Sequence, residues 1–354
     1  MKRVLVLIAF LLAAHSGQAA DKLVGGPYVV NVGSSQATVV WVLQSSEVKL
    51  GTAPYAQTKA APVLRAEKAT YTELQPGTTY YYEVPGIAGA KGSFKTAPKP
   101  REPVAFRFVA YGDTRTRHDV HQKVVNAIVK ANPDFVIHTG DMVVDGRASE
   151  LWRIFFSIER ALLRRAVFFP VLGNHEQNSP YYYQFFDVRK PYYSFNWGNS
   201  HFTMLNSEGS DSAGSPREAF WPEQTRWLEN DLQRAKNADF RFVAFHTPPF
   251  SVVKGRMNAK HPVQELVPLF EQYKVAAVFL GHDHNYQHHL KNGVRYLVVG
   301  GGGAPLYDVD TLIPGITQKA VKSENFAEVN VKGKEARIEV RAPDGTVIDA
   351  IDLK

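Results

Sequence analysis

Five short polar motifs occur in order over about half of the chain, and their residue types are those of a metal centre. They are Gly112-Asp113, Gly140-Asp141, Gly173-Asn174-His175-Glu176, His246 and Gly281-His282-Asp283-His284. Carboxylate, amide and imidazole groups together suit transition-metal ions such as zinc, iron and manganese. Two such ions, roughly 3.5–4 Å apart, can neutralise a phosphoryl group and activate a water molecule against it. The motifs therefore predict a metal site, for two ions, that hydrolyses phosphate esters.

Each of these motifs follows an apolar segment that reads as a buried strand. The segments are 104–111, 134–139, 166–172, 240–245 and 275–280. Continuous apolar strands separated by helical patterns indicate a sheet covered on both faces. Polar residues at the carboxyl ends of such strands gather in one crevice. The sequence thus predicts that the five motifs meet.

Further elements can be placed by periodicity. Helices are predicted over 119–130, 150–165, 222–236 and 261–273, the third opened by Pro222. The second has one apolar face, formed by Leu151, Ile154, Phe155, Ile158 and Leu162. Strands at 286–290, 294–299, 326–331 and 336–340 are expected to be antiparallel and to complete the same domain.

The region before the first motif has a different pattern. Residues 26–96 contain short predicted strands at 39–43, 78–84 and 92–96, separated by turn signals, which is typical of a small β-sandwich. Segment 74–80 resembles the corner of fibronectin type III domains, in which a tyrosine hydroxyl is tied to the backbone. Pro98, Pro100 and Pro103 then indicate a stiff linker.

The first residues of the chain have the pattern of a segment that directs export. Lys2, Arg3, an apolar stretch over 4–14 and small residues at 17–19 predict a secretion signal. The expected location is periplasmic or secreted, with no membrane span in the mature protein.

The chain contains no cysteine, which excludes disulfides and thiolate ligands. The net charge is +7, but the basic residues are scattered along the sequence. Because nucleic-acid binding requires a concentrated basic patch, no nucleic-acid partner is expected.

The ordered motifs resemble those of the calcineurin-like metallophosphoesterases, and the preceding sandwich is similar to that of the purple acid phosphatase-like branch. The resemblance implies an α/β four-layer αββα sandwich behind an all-β, fibronectin type III-like sandwich. The domain limits expected from it are 1–19 for the signal peptide, 20–97 for the sandwich, 98–103 for the linker and 104–354 for the metallophosphoesterase domain.

The resemblance also implies roles for the polar side chains. Asp141 is expected to bridge two metal ions, which are Fe, Zn or Mn. The remaining ligands divide into Asp113 and His284 for the first metal, and Asn174, His246 and His282 for the second. His175 is expected to face the substrate, either giving a proton to the leaving oxygen or hydrogen-bonding the phosphoryl group.

Two positions depart from the family pattern. Most members have a histidine ligand where this chain has Arg115, and the purple branch has a tyrosine where this chain has Val144. We therefore expect weaker binding of the first metal and no tyrosinate-to-iron colour. Arg115 either clamps phosphoryl oxygens or pairs structurally with a carboxylate. His118 is an alternative ligand for the first metal.

The expected activity is hydrolysis of phosphate monoesters on a phosphorylated small molecule, by a hydroxide that bridges the metals. Phosphodiester or nucleotide hydrolysis on the same fold is the alternative. A second alternative is a non-catalytic protein that binds phosphorylated ligands, because the first metal's ligand set is incomplete. The sequence does not indicate an oligomeric state.

Overall fold

Two mixed β-sheets packed face to face form the centre of the larger part of the chain. The structure, a computed structural model, describes residues 21–51, 59–211 and 213–353. The predicted secretion signal lies outside the described residues. No helix within the described ranges is long and apolar enough to cross a membrane.

The first part of the chain is all β. Its strands are β1 (Lys22–Val30), β2 (Ala37–Leu50), β3 (Lys59–Tyr71), β4 (Thr79–Glu83) and β5 (Lys91–Lys95). The first three strands form an antiparallel sheet, and β4 pairs with β5. Gln75 donates its backbone N–H to the hydroxyl oxygen of Tyr80 at 2.8 Å, which confirms the predicted tyrosine tie.

The rest of the described chain alternates strands and helices before ending in strands. In order, its elements are β6 (Phe106–Tyr111), α1 (His118–Ala131), β7 (Phe135–His138), α2 (Ser149–Leu163), β8 (Val167–Pro170), α3 (Pro180–Phe186), β9 (Tyr193–Trp197), β10 (Ser200–Met204), α4 (Arg217–Arg234), β11 (Phe240–Ala244), α5 (Val267–Gln272), β12 (Ala277–Leu280), β13 (Tyr286–Lys291), β14 (Val294–Val299), β15 (Thr317–Val321), β16 (Phe326–Lys332), β17 (Glu335–Arg341) and β18 (Val347–Leu353).

The described strands of this part form two sheets. One has the order β18-β17-β16-β6-β7-β8, and the other has the order β15-β13-β14-β12-β11-β10-β9. Aromatic rings fill the space between them: Phe108 of the first sheet meets Phe202 and Phe279 of the second edge to face, with centroids 5.2 and 5.6 Å apart. Helices α1 and α2 cover the outer face of one sheet, and α4 and α5 cover the other. This is the expected four-layer αββα arrangement.

The sheet topology explains why the motifs meet. Strands β6, β7 and β8 run parallel to one another, as do β11 and β12 in the second sheet. At most two residues lie between the end of each of these strands and the start of one of the five polar motifs. Since the carboxyl ends of parallel strands lie at the same edge, the loops that carry the motifs face each other across the two sheets.

The all-β part packs directly on the larger part. Tyr28 of β1 stacks on Phe156 of α2 at 5.5 Å between ring centroids, and its hydroxyl donates to the backbone oxygen of Phe185. A Cβ added at Gly25 would lie 2.7 Å from the Phe156 ring, so glycine permits this close approach. The predicted limits of the domains, including the 98–103 linker, remain predictions.

Several local predictions were wrong. Helix α4 begins at Arg217, so Pro222 lies inside it rather than opening it; Pro216, just before the helix, is its N-cap. Ile154 is 37% exposed and flanks the apolar face of α2. The expected helix over 261–273 is a 3-10 helix, Pro262–Leu266, followed by α5. The last predicted strands do form antiparallel pairs as expected, β13 with β14 in one sheet and β16 with β17 in the other.

Candidate metal centre

Three of the predicted ligands lie in the left-handed backbone region, directly after strands. Asp113, Asp141 and His282 have φ values of 59°, 58° and 71°. Non-glycine residues in this region cost about 1–3 kcal/mol each and persist where the surrounding structure fixes them. The turns thereby direct three polar side chains from the strand ends into one space, at a cost in local backbone energy.

Glycines precede these residues because the loops approach each other closely. Gly140 has a φ of 98°, and a Cβ there would lie 2.8 Å from His246 Nδ1. A Cβ on Gly281 would lie 2.7 Å from Asp113 Oδ2 and 2.9 Å from His246 Nδ1. A side chain at either glycine would therefore push against predicted ligands, which explains the Gly-Asp and Gly-His pairs.

The predicted ligands of the second metal converge. We call Asp141, Asn174, His246 and His282 the second cluster. Asn174 Oδ1 lies 3.1 Å from His246 Nε2 and 3.0 Å from His282 Nδ1, and the two ring nitrogens are 3.3 Å apart. Asp141 Oδ1 is 3.4 Å from His246 Nε2. Asn174 is exposed and His282 is half-buried, so this cluster opens towards solvent.

The tautomer of His246 shows what this cluster lacks. His246 Nδ1 lies 2.8 Å from the backbone oxygen of Thr139, which can only accept, so Nδ1 carries the hydrogen. In the neutral ring, Nε2 is then a lone pair that faces the amide oxygen of Asn174 and the carboxylate of Asp141. Either a proton on Nε2 or a metal ion among these atoms satisfies the acceptors.

The spacing and chemistry of the second cluster fit a metal ion. Ligands 2.0–2.2 Å from a tetrahedral zinc ion stand about 3.3–3.6 Å apart, close to the distances between these atoms. Nitrogen and oxygen donors of this kind suit zinc, iron and manganese. The neighbouring Asp141 provides the anionic charge that a divalent cation needs.

The protonation of His246 and the protonation of His282 depend strongly on each other. Although burial lowers the pKa of His246, the carboxylates of Asp141 and Asp113 raise it to about 9. Burial and the adjacent His246 lower the pKa of His282 to about 2. Two imidazoles in contact cannot both be protonated. The pair therefore favours a single positive charge, which a metal ion can supply in place of the proton.

The predicted ligands of the first metal also converge, but with a cation among them. Asp113, Asp141 and His284, which we call the first cluster, bring one ligand atom each to within 4.8 Å of the others. Asp113 Oδ1 lies 3.5 Å from His284 Nε2. Arg115 sits beside them, with Nε 3.4 Å from Asp141 Oδ2 and Nη2 3.4 Å from His284 Nε2. The guanidinium is thus part of this cluster.

His175 lies next to the clusters with a defined orientation. Its Nδ1 donates to the backbone oxygen of Val144 at 2.7 Å, and its backbone N–H donates to Asp141 Oδ1 at 3.0 Å. Nε2 is 3.9 Å from Asp141 Oδ2 and faces the site. Val144, where the purple branch has tyrosine, is 38% exposed and contributes only its backbone oxygen here.

Glu176 has a role that the sequence reasoning missed. Its Oε2 accepts backbone N–H groups from Asp141 and Gly173 at 2.9 and 2.8 Å, and its Oε1 accepts that of Met142 at 2.7 Å. Burial, and then the charge of Asp141, raise the pKa of Glu176 to about 7. The carboxylate holds the Asp141 turn against the Gly173 turn. An acidic residue ending the Gly-Asn-His-Glu motif was the available signal.

Arg256 and Tyr307 contact the predicted ligands, although neither is among the predicted site residues. The Arg256 guanidinium donates to the backbone oxygen of His282 at 2.9 Å and lies 4.6 Å from the centroid of the Tyr307 ring. Tyr307 stacks on His284 with centroids 4.1 Å apart. His284 Nδ1 donates to the backbone oxygen of Pro305 at 2.8 Å. Nothing in the sequence pattern around Tyr307 points to this contact.

The alternative ligand His118 does not join the site. It is exposed at the first residue of α1, and the first cluster comprises Asp113, Asp141 and His284 without it. The four consecutive residues 300–303 are all glycine, and they pack closely on the first motif: Gly302 donates its N–H to the backbone oxygen of Gly112 at 2.9 Å.

Comparison with known proteins agrees with this geometry. Residues 106–286 match the calcineurin-like phosphoesterase family. The chain is 26% identical over 328 residues to an uncharacterized protein of Mycobacterium tuberculosis, with 73% of this chain and 62% of that protein covered. It is 21% identical over 276 residues to a nucleotide pyrophosphatase/phosphodiesterase of Hordeum vulgare, covering 63% of this chain and 75% of that protein.

A solved structure shares the fold. A purple acid phosphatase from yellow lupin (Lupinus luteus) seeds superposes with a TM-score of 0.72 at 17% identity, covering 93% of this chain and 74% of that chain. The chain spans less than two thirds of the mycobacterial relative's length. Because the matched segment is more than half of the sequence and contains all five motifs, the chain belongs to the calcineurin-like phosphoesterase family.

Proposed function

We propose that this protein is an exported, metal-dependent phosphoesterase that hydrolyses phosphate monoesters. The observation that supports the proposal is the second cluster, in which oxygen and nitrogen ligand atoms lie 3.0–3.4 Å apart, close to the spacing of ligands around one metal ion. Family membership makes phosphate ester hydrolysis the activity to test. Export rests on the predicted secretion signal, and N-terminal sequencing of the protein recovered from the periplasm or medium would test it.

The side chains divide the work of the reaction. Asp141, Asn174, His246 and His282 would hold the ion, which when bound supplies charge for the phosphoryl oxygens and lowers the pKa of water. Thr139 and Pro305 fix the ring orientations of His246 and His284 through backbone oxygens. Such partners raise ligand basicity and hold geometry. The two metal ions implied by the family resemblance require the first cluster to accept a second ion beside Arg115.

We propose that His175 protonates the leaving group. Its Nδ1 is committed to the Val144 oxygen, so Nε2 is the nitrogen that exchanges a proton with the site. During hydrolysis a P–O bond forms to the oxygen of water while the P–O bond to the alcohol breaks. A proton from His175 Nε2 neutralises the departing alkoxide. This assistance is needed because an alkoxide is a poor leaving group.

Hydrolysis of phosphodiesters or nucleotides is the second candidate. The observation that favours it is the barley relative, a nucleotide pyrophosphatase/phosphodiesterase by name. Turnover of p-nitrophenyl phosphate compared with bis-p-nitrophenyl phosphate separates the two. We expect a higher kcat/KM for the monoester, and a higher value for the diester would favour the second candidate.

A paired substitution tests metal dependence. His246→Ala should lose the ion and turnover together, since it removes the central member of the second cluster. His118→Ala changes an exposed histidine on α1 and should keep both. Treatment with a chelator should abolish turnover, and added Mn²⁺ or Zn²⁺ should restore it. Turnover that survives both His246→Ala and chelation would refute the proposal. Metal binding without turnover of either ester would favour the non-catalytic alternative.

A further inference from the structure

We infer that the Arg115 guanidinium takes the place of one metal ion in the first cluster, so that the chain binds a single ion, in the second cluster. This inference rests on the proposed function, because it concerns the same site. It replaces the expectation of two metal ions with one ion and one fixed organic cation.

The contacts of His284 are the first argument. Its Nδ1 donates to the Pro305 oxygen, so Nε2 carries the lone pair that a metal would need. That lone pair already accepts an N–H from Arg115 Nη2 at 3.4 Å. A metal ligand of this type must offer the lone pair to an ion about 2.0–2.1 Å away. The guanidinium and an ion therefore compete for the same nitrogen.

Asp141 is divided between the two clusters. Its Oδ2 faces Arg115 Nε at 3.4 Å, while its Oδ1 faces His246 Nε2 at 3.4 Å. One carboxylate oxygen thus pairs with the guanidinium and the other is directed to the second cluster. The arrangement matches a carboxylate that bridges two cations, one of which is Arg115.

The second cluster contrasts with the first. Among the described residues, no lysine or arginine donates a hydrogen bond to Asn174 Oδ1, His246 Nε2 or His282 Nδ1. The first cluster contains a cation and the second does not. Arg115 is 14% exposed by its side chain and is held between two ligand residues rather than extending into solvent.

Charge supports the same division. The two clusters contain two carboxylates, that of Asp113 in the first cluster and that of Asp141 in both. One divalent ion together with one guanidinium more than neutralises them. A second divalent ion would have to sit beside the guanidinium cation, which lies against Asp141 and His284. It would bind only if Arg115 moved away.

Metal content tests the inference directly. Protein saturated with Mn²⁺ and freed of excess ion by gel filtration should contain one manganese per chain by elemental analysis. Its electron paramagnetic resonance spectrum should be the six-line signal of an isolated ion. Arg115→His introduces a neutral ligand and should raise the content to two ions per chain with an exchange-coupled spectrum. Arg115→Lys keeps the charge and should remain at one.

The outcomes separate this inference from the proposed function. Two ions per wild-type chain would overturn the inference and leave the proposed function intact. One ion that is lost in His284→Ala but retained in His246→Ala would also overturn it, because the ion would then sit in the first cluster. No bound ion in the wild type would overturn both. Circular dichroism of each variant establishes that it is folded before its metal content is interpreted.

Discussion

Replacing Glu176 with glutamine tests whether this carboxylate holds the metal centre together. The three backbone N–H groups of Asp141, Met142 and Gly173 all point at its two oxygens. Glutamine has nearly the same shape but only one accepting oxygen, so at least one buried N–H loses its partner. An unsatisfied buried donor costs about 1–3 kcal/mol. Loss of such a supporting partner typically weakens metal binding about 10–100-fold.

The assay compares Glu176→Gln with the wild type at pH 8, above the pKa of about 7, where the carboxylate is ionised. Urea unfolding measures the free energy of unfolding of the metal-free proteins, and calorimetric titration with Mn²⁺ measures the affinity. The matched control is Asp231→Asn, which alters another buried carboxylate, one with four hydrogen-bond partners: Ser194, His201, Thr203 and Arg234. It should lose comparable stability and keep its Mn²⁺ affinity.

Two results would refute the reasoning. If Glu176→Gln binds Mn²⁺ as tightly as the wild type, the Asp141 turn does not depend on this carboxylate. If Asp231→Asn loses Mn²⁺ affinity by a similar factor, the effect on Glu176→Gln reflects general destabilisation rather than support of the site.

Three further predictions follow from the geometry. Gly281→Ala places a methyl group 2.7 Å from Asp113 Oδ2, so metal affinity should fall at least about tenfold in a calorimetric titration, with circular dichroism unchanged. Burial raises the pKa of Asp231, but hydrogen bonds from His201, Ser194 and Thr203 outweigh it and leave that pKa below its usual value. Ionised Asp231 therefore stabilises the fold above the unfolded pKa of about 3.9, and this stability is lost as the pH falls through the lower folded value. Urea unfolding at pH 6 and pH 3.5 should show a smaller loss for Asp231→Asn than for the wild type, and an equal loss would contradict the assignment. Iron-loaded protein should lack a visible tyrosinate band because residue 144 is valine, and a purple solution would show that another tyrosine reaches the metal.

The strands that precede the motifs were predictable because burial on both faces leaves a continuous apolar run. The convergence of Asp113, Asp141, His246 and His282 follows from parallel strands ending at one edge, so the sequence predicted it as well. The position of Pro222 within α4 was not predictable in the same way, since its neighbourhood carries helix signals on both sides. Contacts made by residues remote in sequence, such as Tyr307 on His284, leave no local pattern at all.

Arg115 shows a different limit. The sequence identified it as a departure from the family pattern and left two interpretations open, a phosphoryl clamp and a structural pairing. The structure shows which atoms it faces: a carboxylate oxygen of Asp141 and a ring nitrogen of His284. The pairing with Asp141 is present, and the contact with His284 could not be read from spacing, because 169 positions separate the two residues.

The stacking of Tyr28 on Phe156 has a consequence for how the chain holds together. One buried cluster joins apolar residues of β1 and β2 to those of α2 and α3; from the two strands it includes Val24, Tyr28, Val30, Val40 and Val42. Removing the amino-terminal part would expose a large hydrophobic patch of the larger part to water. The amino-terminal β region therefore covers the outer helices α2 and α3. We expect the two parts to unfold together in a single cooperative transition.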